Sequence, residues 1–163
     1  MGFPIAGPGD IPRCAWVSQV VRSVDVSLIP RALSRLQSDR PLRIVGLGDS
    51  ITGIYYHTGA TLAWPEVLGI KLRALFPQAP IEIINAGISG HTTADGLTRL
   101  ESDVLAHAPN LVVVMFGMND VVRSTPEAYA DHLRRIVRQL SARGVEVVLM
   151  TPNSVYDEDP ARP

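Results

Sequence analysis

The residues best suited to chemistry lie on a glycine-flanked turn, Gly46-Leu47-Gly48-Asp49-Ser50-Ile51-Thr52-Gly53. The turn follows Leu42-Arg43-Ile44-Val45, a short apolar run that reads as a buried strand. A serine at the carboxyl end of a strand sits where open α/β sheets bind their ligands. Gly46 and Gly48 leave room for a substrate to approach the main chain. Two readings of Ser50 are open at this point. It is a nucleophile presented to a substrate, or it bonds a backbone amide within a strand-ending turn.

Better-known glycine signatures do not fit. A dinucleotide fingerprint needs a third glycine at Ile51, and Gly53 falls two places late. A phosphate-cradling loop needs Gly-Lys-Ser/Thr, and the only lysine is Lys71. The nucleophile elbow of α/β-hydrolases needs a glycine where this chain has Thr52. What survives is Gly-Asp-Ser-Ile-Thr.

Two further strand ends carry polar loops. Ile81-Glu82-Ile83-Ile84 runs into Asn85-Ala86-Gly87-Ile88-Ser89-Gly90-His91-Thr92-Thr93. Leu111-Val112-Val113-Val114-Met115-Phe116 is a continuous apolar run, as expected of a strand covered on both faces, and it ends in Gly117-Met118-Asn119-Asp120. A fourth strand is predicted from Val145 to Met150. Helices are predicted between them. One opens at Trp64-Pro65-Glu66, with Leu68, Leu72, Leu75 and Phe76 as its apolar stripe. Another follows a Thr92/Asp95 capping box, with Leu97, Leu100 and Val104 inward. The third starts at Thr125-Pro126-Glu127, buries Tyr129, Leu133, Ile136, Val137 and Leu140, and stops at Gly144. Alternating strand and helix implies a parallel sheet with right-handed crossovers. Ser50, Gly87 and Asn119 are thereby expected on one edge of one sheet.

The 163 residues suffice for one domain with a sizeable core, and 46% hydrophobic against 19% charged residues suits a globular protein. A net charge of −1 argues against a nucleic-acid or anionic-membrane partner. The single Cys14 excludes an internal disulfide and forms no metal cluster by itself. No metal or cofactor is expected. No run is long enough to span a membrane, and Met1-Gly2-Phe3-Pro4-Ile5-Ala6 lacks the pattern of a signal peptide, so a cytoplasmic location is expected. Residues 1–40 read as an extension with short helices over Cys14–Val24 and Ser27–Gln37, and residues 41–163 as the α/β domain.

With its three blocks in order, the chain resembles the SGNH, or GDSL, hydrolase superfamily. Gly48-Asp49-Ser50-Ile51-Thr52, Asn85-Ala86-Gly87-Ile88-Ser89-Gly90 and Gly117-Met118-Asn119-Asp120 carry the similarity, over roughly residues 42 to 152. Gly-Ile-Ser-Gly and Met150-Thr151-Pro152 look especially like its carbohydrate esterases, such as acetylxylan esterases. The resemblance implies a three-layer, flavodoxin-like fold with a central parallel sheet in the order 2-1-3-4, a fifth strand being missing from this chain. It implies a serine esterase acting on short-chain or carbohydrate-linked esters. Ser50 is then the nucleophile, and its own N–H, the Gly87 N–H and the Asn119 side-chain amide form the oxyanion hole. Asp49 and Asp120 look like loop-holding residues. Tyr55, Tyr56, His57 and Trp64 are candidates to line the substrate site, or else packing residues.

The superfamily's late Asp-x-x-His block has no counterpart here. Eleven residues follow Thr151-Pro152, and by ordinary βα unit lengths the chain is expected to be cut short by roughly 60–80 residues and, without the base, to be inactive by itself. Of His57, His91, His107 and His132, none is expected to replace the missing base, and His91 is expected to line the cleft. Two other functions fit the same residues: a non-catalytic binder of acylated sugars or small esters, and a flavodoxin-like nucleotide or phosphate binder. Without a fifth strand, Val145–Met150 becomes an apolar sheet edge, so self-association there, or binding of the missing segment, is expected.

Overall fold

The computed structural model describes residues 28–152. The chain divides into two compact units, Met1–Pro30 and Arg31–Pro163. The expected helix over Cys14–Val24 lies outside the described residues.

The sheet is built on β1, Leu42–Gly48, which is buried at every position but Arg43. A strand so apolar needs cover on both faces and neighbours on both edges. It has β2, Ile81–Gly87, on one side and β3, Leu111–Met115, on the other, with β4, Glu146–Leu149, beyond β3. All pairs are parallel and the order is β2-β1-β3-β4, as expected. Gly48 pairs with Gly87 on one side and Met115 on the other. The loops carrying Ser50, Gly87–His91 and Asn119 therefore leave the sheet at one level. Among the described residues no strand pairs with the outer edge of β4, where Leu149 and Met150 are exposed.

Among the described residues six α-helices accompany the sheet: α1 Pro30–Gln37, α2 Trp64–Leu75, α3 Thr93–Thr98, α4 Leu100–Asp103, α5 Asp120–Arg123 and α6 Pro126–Ala142. The core joins Val45 and Leu47 of β1, Val112 and Val114 of β3 and Phe116 to Leu100, Val104, Ile136 and Leu140. Thr125 opens α6 by accepting the Ala128 N–H at 3.2 Å, and Gly144 closes it at φ 73°.

Two helices depart from the sequence reading. The expected apolar stripe of α2 is only half covered, with Leu75 exposed, and the buried positions are Pro65 and Gly69. A Cβ on Gly69 would lie 2.6 Å from Ile83 Cγ1, so the missing side chain lets the helix settle directly on β2. The single helix expected from Thr92 to Val104 breaks at Arg99 (φ −95°, ψ 11°), which ends α3 and begins α4 with its guanidinium turned inward.

A buried carboxylate ties the start of α1 to the sheet. Glu146, 6% exposed, accepts the Arg31 and Ala32 N–H groups at 2.8 and 2.7 Å. It meets two of the N–H groups that no turn of the helix can satisfy. The mostly solvated Arg31 side chain at 3.4 Å adds little. Glu146→Ala is expected to destabilise the chain by about 2–3 kcal/mol by orphaning these donors, and Glu146→Gln by less. Urea unfolding midpoints measure the difference.

Candidate active site

Ser50 stands at the end of β1 in a turn folded onto Asp49. Asp49 is 1% exposed, and its Oδ1 accepts the Ile51 N–H at 2.9 Å. Its carbonyl accepts the N–H groups of Thr52 and Gly53 at 3.2 and 3.0 Å. Asp49 thus holds the loop, and these bonds fix the turn that presents Ser50. Gly48 has no room for a side chain, since a Cβ would lie 2.1 Å from Thr52 Oγ1 and 2.4 Å from the Met115 carbonyl.

A cation lies beneath this turn. Arg99 is 9% exposed and donates Nη2 to the Gly48 carbonyl at 2.9 Å and Nη1 to Asp103 at 3.1 Å. The Ser102 hydroxyl foremost, and Arg99 after it, hold the Asp103 carboxyl below its usual range. The Gly48 carbonyl also accepts the Ile88 N–H at 3.1 Å, which joins the first loop to the second.

In the second loop the backbone donors can be followed one by one. The Gly87 N–H bonds Asn85 Oδ1 at 2.9 Å and the Ser89 N–H bonds Tyr55 Oη at 2.8 Å. The His91 N–H bonds the Ile88 carbonyl at 3.2 Å and the Thr92 N–H bonds Asp95 Oδ2 at 2.8 Å. With Ile88 bonded to Gly48, only the Gly90 N–H has no acceptor among the described residues. Gly90 takes φ 77°, a left-handed conformation that favours glycine. The expected oxyanion donor, Gly87, therefore has its N–H committed within the loop. The missing side chain of Gly87 serves packing instead, because a Cβ would lie 2.1 Å from Gly53 N.

The third loop brings Asn119 to the same place. Its Nδ2 donates one hydrogen to the His91 carbonyl at 2.9 Å, which fixes the amide and leaves its second N–H to point elsewhere. Asp120 is buried and accepts the Thr93 N–H at 3.0 Å and the Thr93 hydroxyl at 2.5 Å. It holds the loop to α3, and like Asp49 it fits the loop-holding reading. Burial raises the nearby Tyr129 hydroxyl above its ordinary range, with the Asp120 charge adding to the effect.

The histidines are dispersed. His91 lies in the second loop, its Nδ1 buried without a hydrogen-bond partner among the described residues. His132 Nδ1 is 3.2 Å from Thr93 Oγ1, and because that hydroxyl donates to Asp120, the histidine is the donor. His107 is exposed and precedes β3, at the opposite edge of the sheet. His57 lies in the one-turn 3₁₀ helix Tyr56–Thr58. Of the residues expected to line a substrate site, Tyr55 is tied to Ser89 and Trp64 Nε1 donates to Thr52 Oγ1 at 3.2 Å, while Tyr56 is exposed. Sequence reasoning missed Asn85, Arg99 and Gly90. An arginine between Leu97 and Leu100 on an inward-facing helix was the signal for the second of these.

Among the described residues no three His, Cys, Asp or Glu side chains come together to hold a metal ion, and no helix is long and apolar enough to cross a membrane. A serine hydroxyl, a buried turn and uncharged N–H donors from two other strand ends suit acyl transfer, which needs a nucleophile and donors aimed at an oxyanion.

Thioesterase 1/protease 1/lysophospholipase L1 of Escherichia coli is 36% identical over 105 residues, 64% of this chain and 48% of that protein. An acetylxylan esterase of Geobacillus stearothermophilus is 34% identical over 109 residues, 59% of this chain and 49% of that protein. The chain spans about half the length of these curated relatives. Among solved structures, a two-domain esterase active on acetylated mannans superposes with a TM-score of 0.67 at 28% identity, covering 76% of this chain and 33% of that one. A variant of an acetyl xylan esterase from Geobacillus stearothermophilus gives 0.63 at 27%, covering 74% and 64%. The pattern of the GDSL-like Lipase/Acylhydrolase family matches residues 47–163, and this chain belongs to that family.

Proposed function

We propose that the protein hydrolyses short-chain or carbohydrate-linked acyl esters through an acyl-enzyme on Ser50. The observation that carries this reading is the parallel register of β2, β1 and β3, which delivers the loops of Ser50, Gly90 and Asn119 to one edge of the sheet. Ser50 Oγ attacks the ester carbonyl, the carbonyl oxygen becomes an oxyanion, and the alcohol leaves. Water then attacks the acyl-serine and releases the acid.

The developing oxyanion needs neutral donors already in place, because a fixed amide requires no reorganisation as charge appears. We assign this role to the Ser50 N–H, the second N–H of Asn119 and the Gly90 N–H in place of that of Gly87. Asn119 is oriented for it by its bond to the His91 carbonyl. The general base, on this reading, belongs to the Asp-x-x-His block that the superfamily places after the fourth strand. Similarity to an acetylxylan esterase and to an esterase active on acetylated mannans supports small acyl groups on sugars as substrates.

Turnover of acetylated xylo-oligosaccharides and of aryl esters of increasing acyl length tests the reading. The expected result is kcat/KM for acetyl esters at least tenfold above that for octanoyl esters, a difference of about 1.4 kcal/mol in transition-state binding. Preference for the long chain would overturn the substrate assignment, and no turnover of any ester by a protein that carries the Asp-x-x-His block would overturn the activity; this chain alone, without the base, is expected to turn over esters near background. The donor assignment is checked by NMR with a boronic acid that forms a tetrahedral serine adduct. The Gly90 amide is expected to shift strongly, and the Gly87 amide weakly.

A further inference from the structure

Asn85 and Glu66 take no part in the chemistry above, yet they connect the loops that do. Asn85 Nδ2 donates to the Thr52 carbonyl at 2.8 Å and to Glu66 Oε1 at 2.9 Å, while its Oδ1 accepts the Gly87 N–H at 2.9 Å. Glu66 Oε2 accepts the Ala63 N–H at 2.9 Å, so the carboxylate that receives Asn85 is fixed at the start of α2. An asparagine that only shaped its own turn would need the Gly87 bond and nothing more. Here both amide hydrogens are also used, one of them on the segment that carries the nucleophile.

We infer that Asn85, oriented by Glu66, is the positioning residue that sets the spacing between the Ser50 loop and the Gly90 loop. This rests on the esterase reading of Ser50. Thr52 is fully buried two residues after Ser50, and Gly87 lies three residues before Gly90. Between them the two loops meet backbone to backbone: a Cβ on Gly87 would lie 2.1 Å from Gly53 N, and one on Gly53 would lie 2.8 Å from the Gly87 carbonyl. The Tyr55 ring packs beside this contact, its Cε2 2.3 Å from a Cβ placed on Gly53, and its hydroxyl accepts the Ser89 N–H at 2.8 Å, so this side chain is itself held by both loops. Any change at Asn85 therefore moves the nucleophile relative to the oxyanion donor.

The site also dictates the residue type. One acceptor must face Gly87, and donors must face the Thr52 carbonyl and the Glu66 carboxylate; a primary amide offers both. Aspartate in the same shape would set oxygen against a carbonyl and a carboxylate. Leucine would leave all three partners unsatisfied.

The test compares the native chain with Asn85→Asp, Glu66→Gln and the double variant. Asn85→Asp is expected to lower kcat about 10²-fold with KM changed less than about threefold, the signature of misplaced reacting groups. In the double variant the amide introduced at position 66 can donate to the carboxylate introduced at position 85, and about tenfold of the loss is expected to return. Unchanged kcat in Asn85→Asp, or a loss confined to KM, would overturn the inference, and so would a double variant no better than the single one. Two NMR readouts do not depend on turnover. The Asn85 side-chain amide and the Gly87 N–H of the native chain are expected to exchange at least about tenfold more slowly than in an unstructured peptide. The Ser50 amide resonance is expected to shift in Asn85→Asp and return in the double variant. Rapid exchange or an unmoved Ser50 resonance would overturn the inference even in a chain that hydrolyses nothing, whereas missing turnover in a protein that carries the Asp-x-x-His block, with both NMR results intact, would count against the esterase reading alone. If a variant fails to fold, the exchange measurement on the native chain decides.

Discussion

In a full-length protein that carries the Asp-x-x-His block, Ser50→Ala is expected to abolish ester hydrolysis, lowering kcat by a factor of about 10⁴ or more while leaving the fold intact. The size of the effect follows from the covalent step: with the hydroxyl removed there is no acyl-enzyme, and only binding and the oxyanion donors remain. The fold is expected to survive because Asp49 holds the turn, through its Oδ1 bond to Ile51 and its carbonyl bonds to Thr52 and Gly53. Assays of an aryl acetate beside a thermal melt separate the two effects. Substantial remaining activity in a folded variant would remove Ser50 from the mechanism.

Asn119→Ala is expected to lower kcat roughly 10²–10³-fold with little change in KM, the cost of one oxyanion donor. Such a donor stabilises charge that exists only in the transition state, so the ground-state complex does not register its loss. Asn119→Asp should be at least as damaging, because the aspartate has the same shape but sets a negative charge where the oxyanion forms. A pure KM effect would make Asn119 a substrate-binding residue. The bond from Asn119 Nδ2 to the His91 carbonyl adds a second consequence, since its loss frees the end of the Gly90 loop.

Much of this arrangement was legible in the sequence because it is carried by local pattern. Continuous apolar runs gave β1 and β3, and the polar loops after them gave the edge on which Ser50 and Asn119 meet. The Thr92/Asp95 capping box is present as expected, with Asp95 Oδ2 bonding the Thr92 N–H at 2.8 Å. That bond, and the Thr92 hydroxyl after it, lower the Asp95 carboxyl from its ordinary value. The box therefore stabilises the helix at neutral pH and loses its effect as acid titrates the carboxylate.

What was not legible depends on partners distant in sequence. Among the described residues, that the Gly87 N–H is committed within the loop is decided by the Asn85 side chain, while Tyr55 takes up the Ser89 N–H from the first loop. Residue type alone made either glycine suitable. Arg99 reads as an ordinary helical arginine until its guanidinium is found on the Gly48 carbonyl, 51 positions away. The break it makes between α3 and α4 follows from that inward turn, which helix periodicity does not encode. The settling of α2 on β2 through Gly69 is likewise a matter of tertiary fit, where apolar spacing pointed to Leu72 and Leu75.

The most direct test of the central claim is covalent labelling with a serine-reactive aryl phosphonate, followed by peptide mass spectrometry. The account predicts a single phosphonate adduct on the peptide containing Ser50, slowed by an excess of a short-chain ester and absent from Ser50→Ala. Esterase activity should fall in step with the adduct. An adduct on a different residue, or full inhibition with Ser50 unmodified, would contradict it.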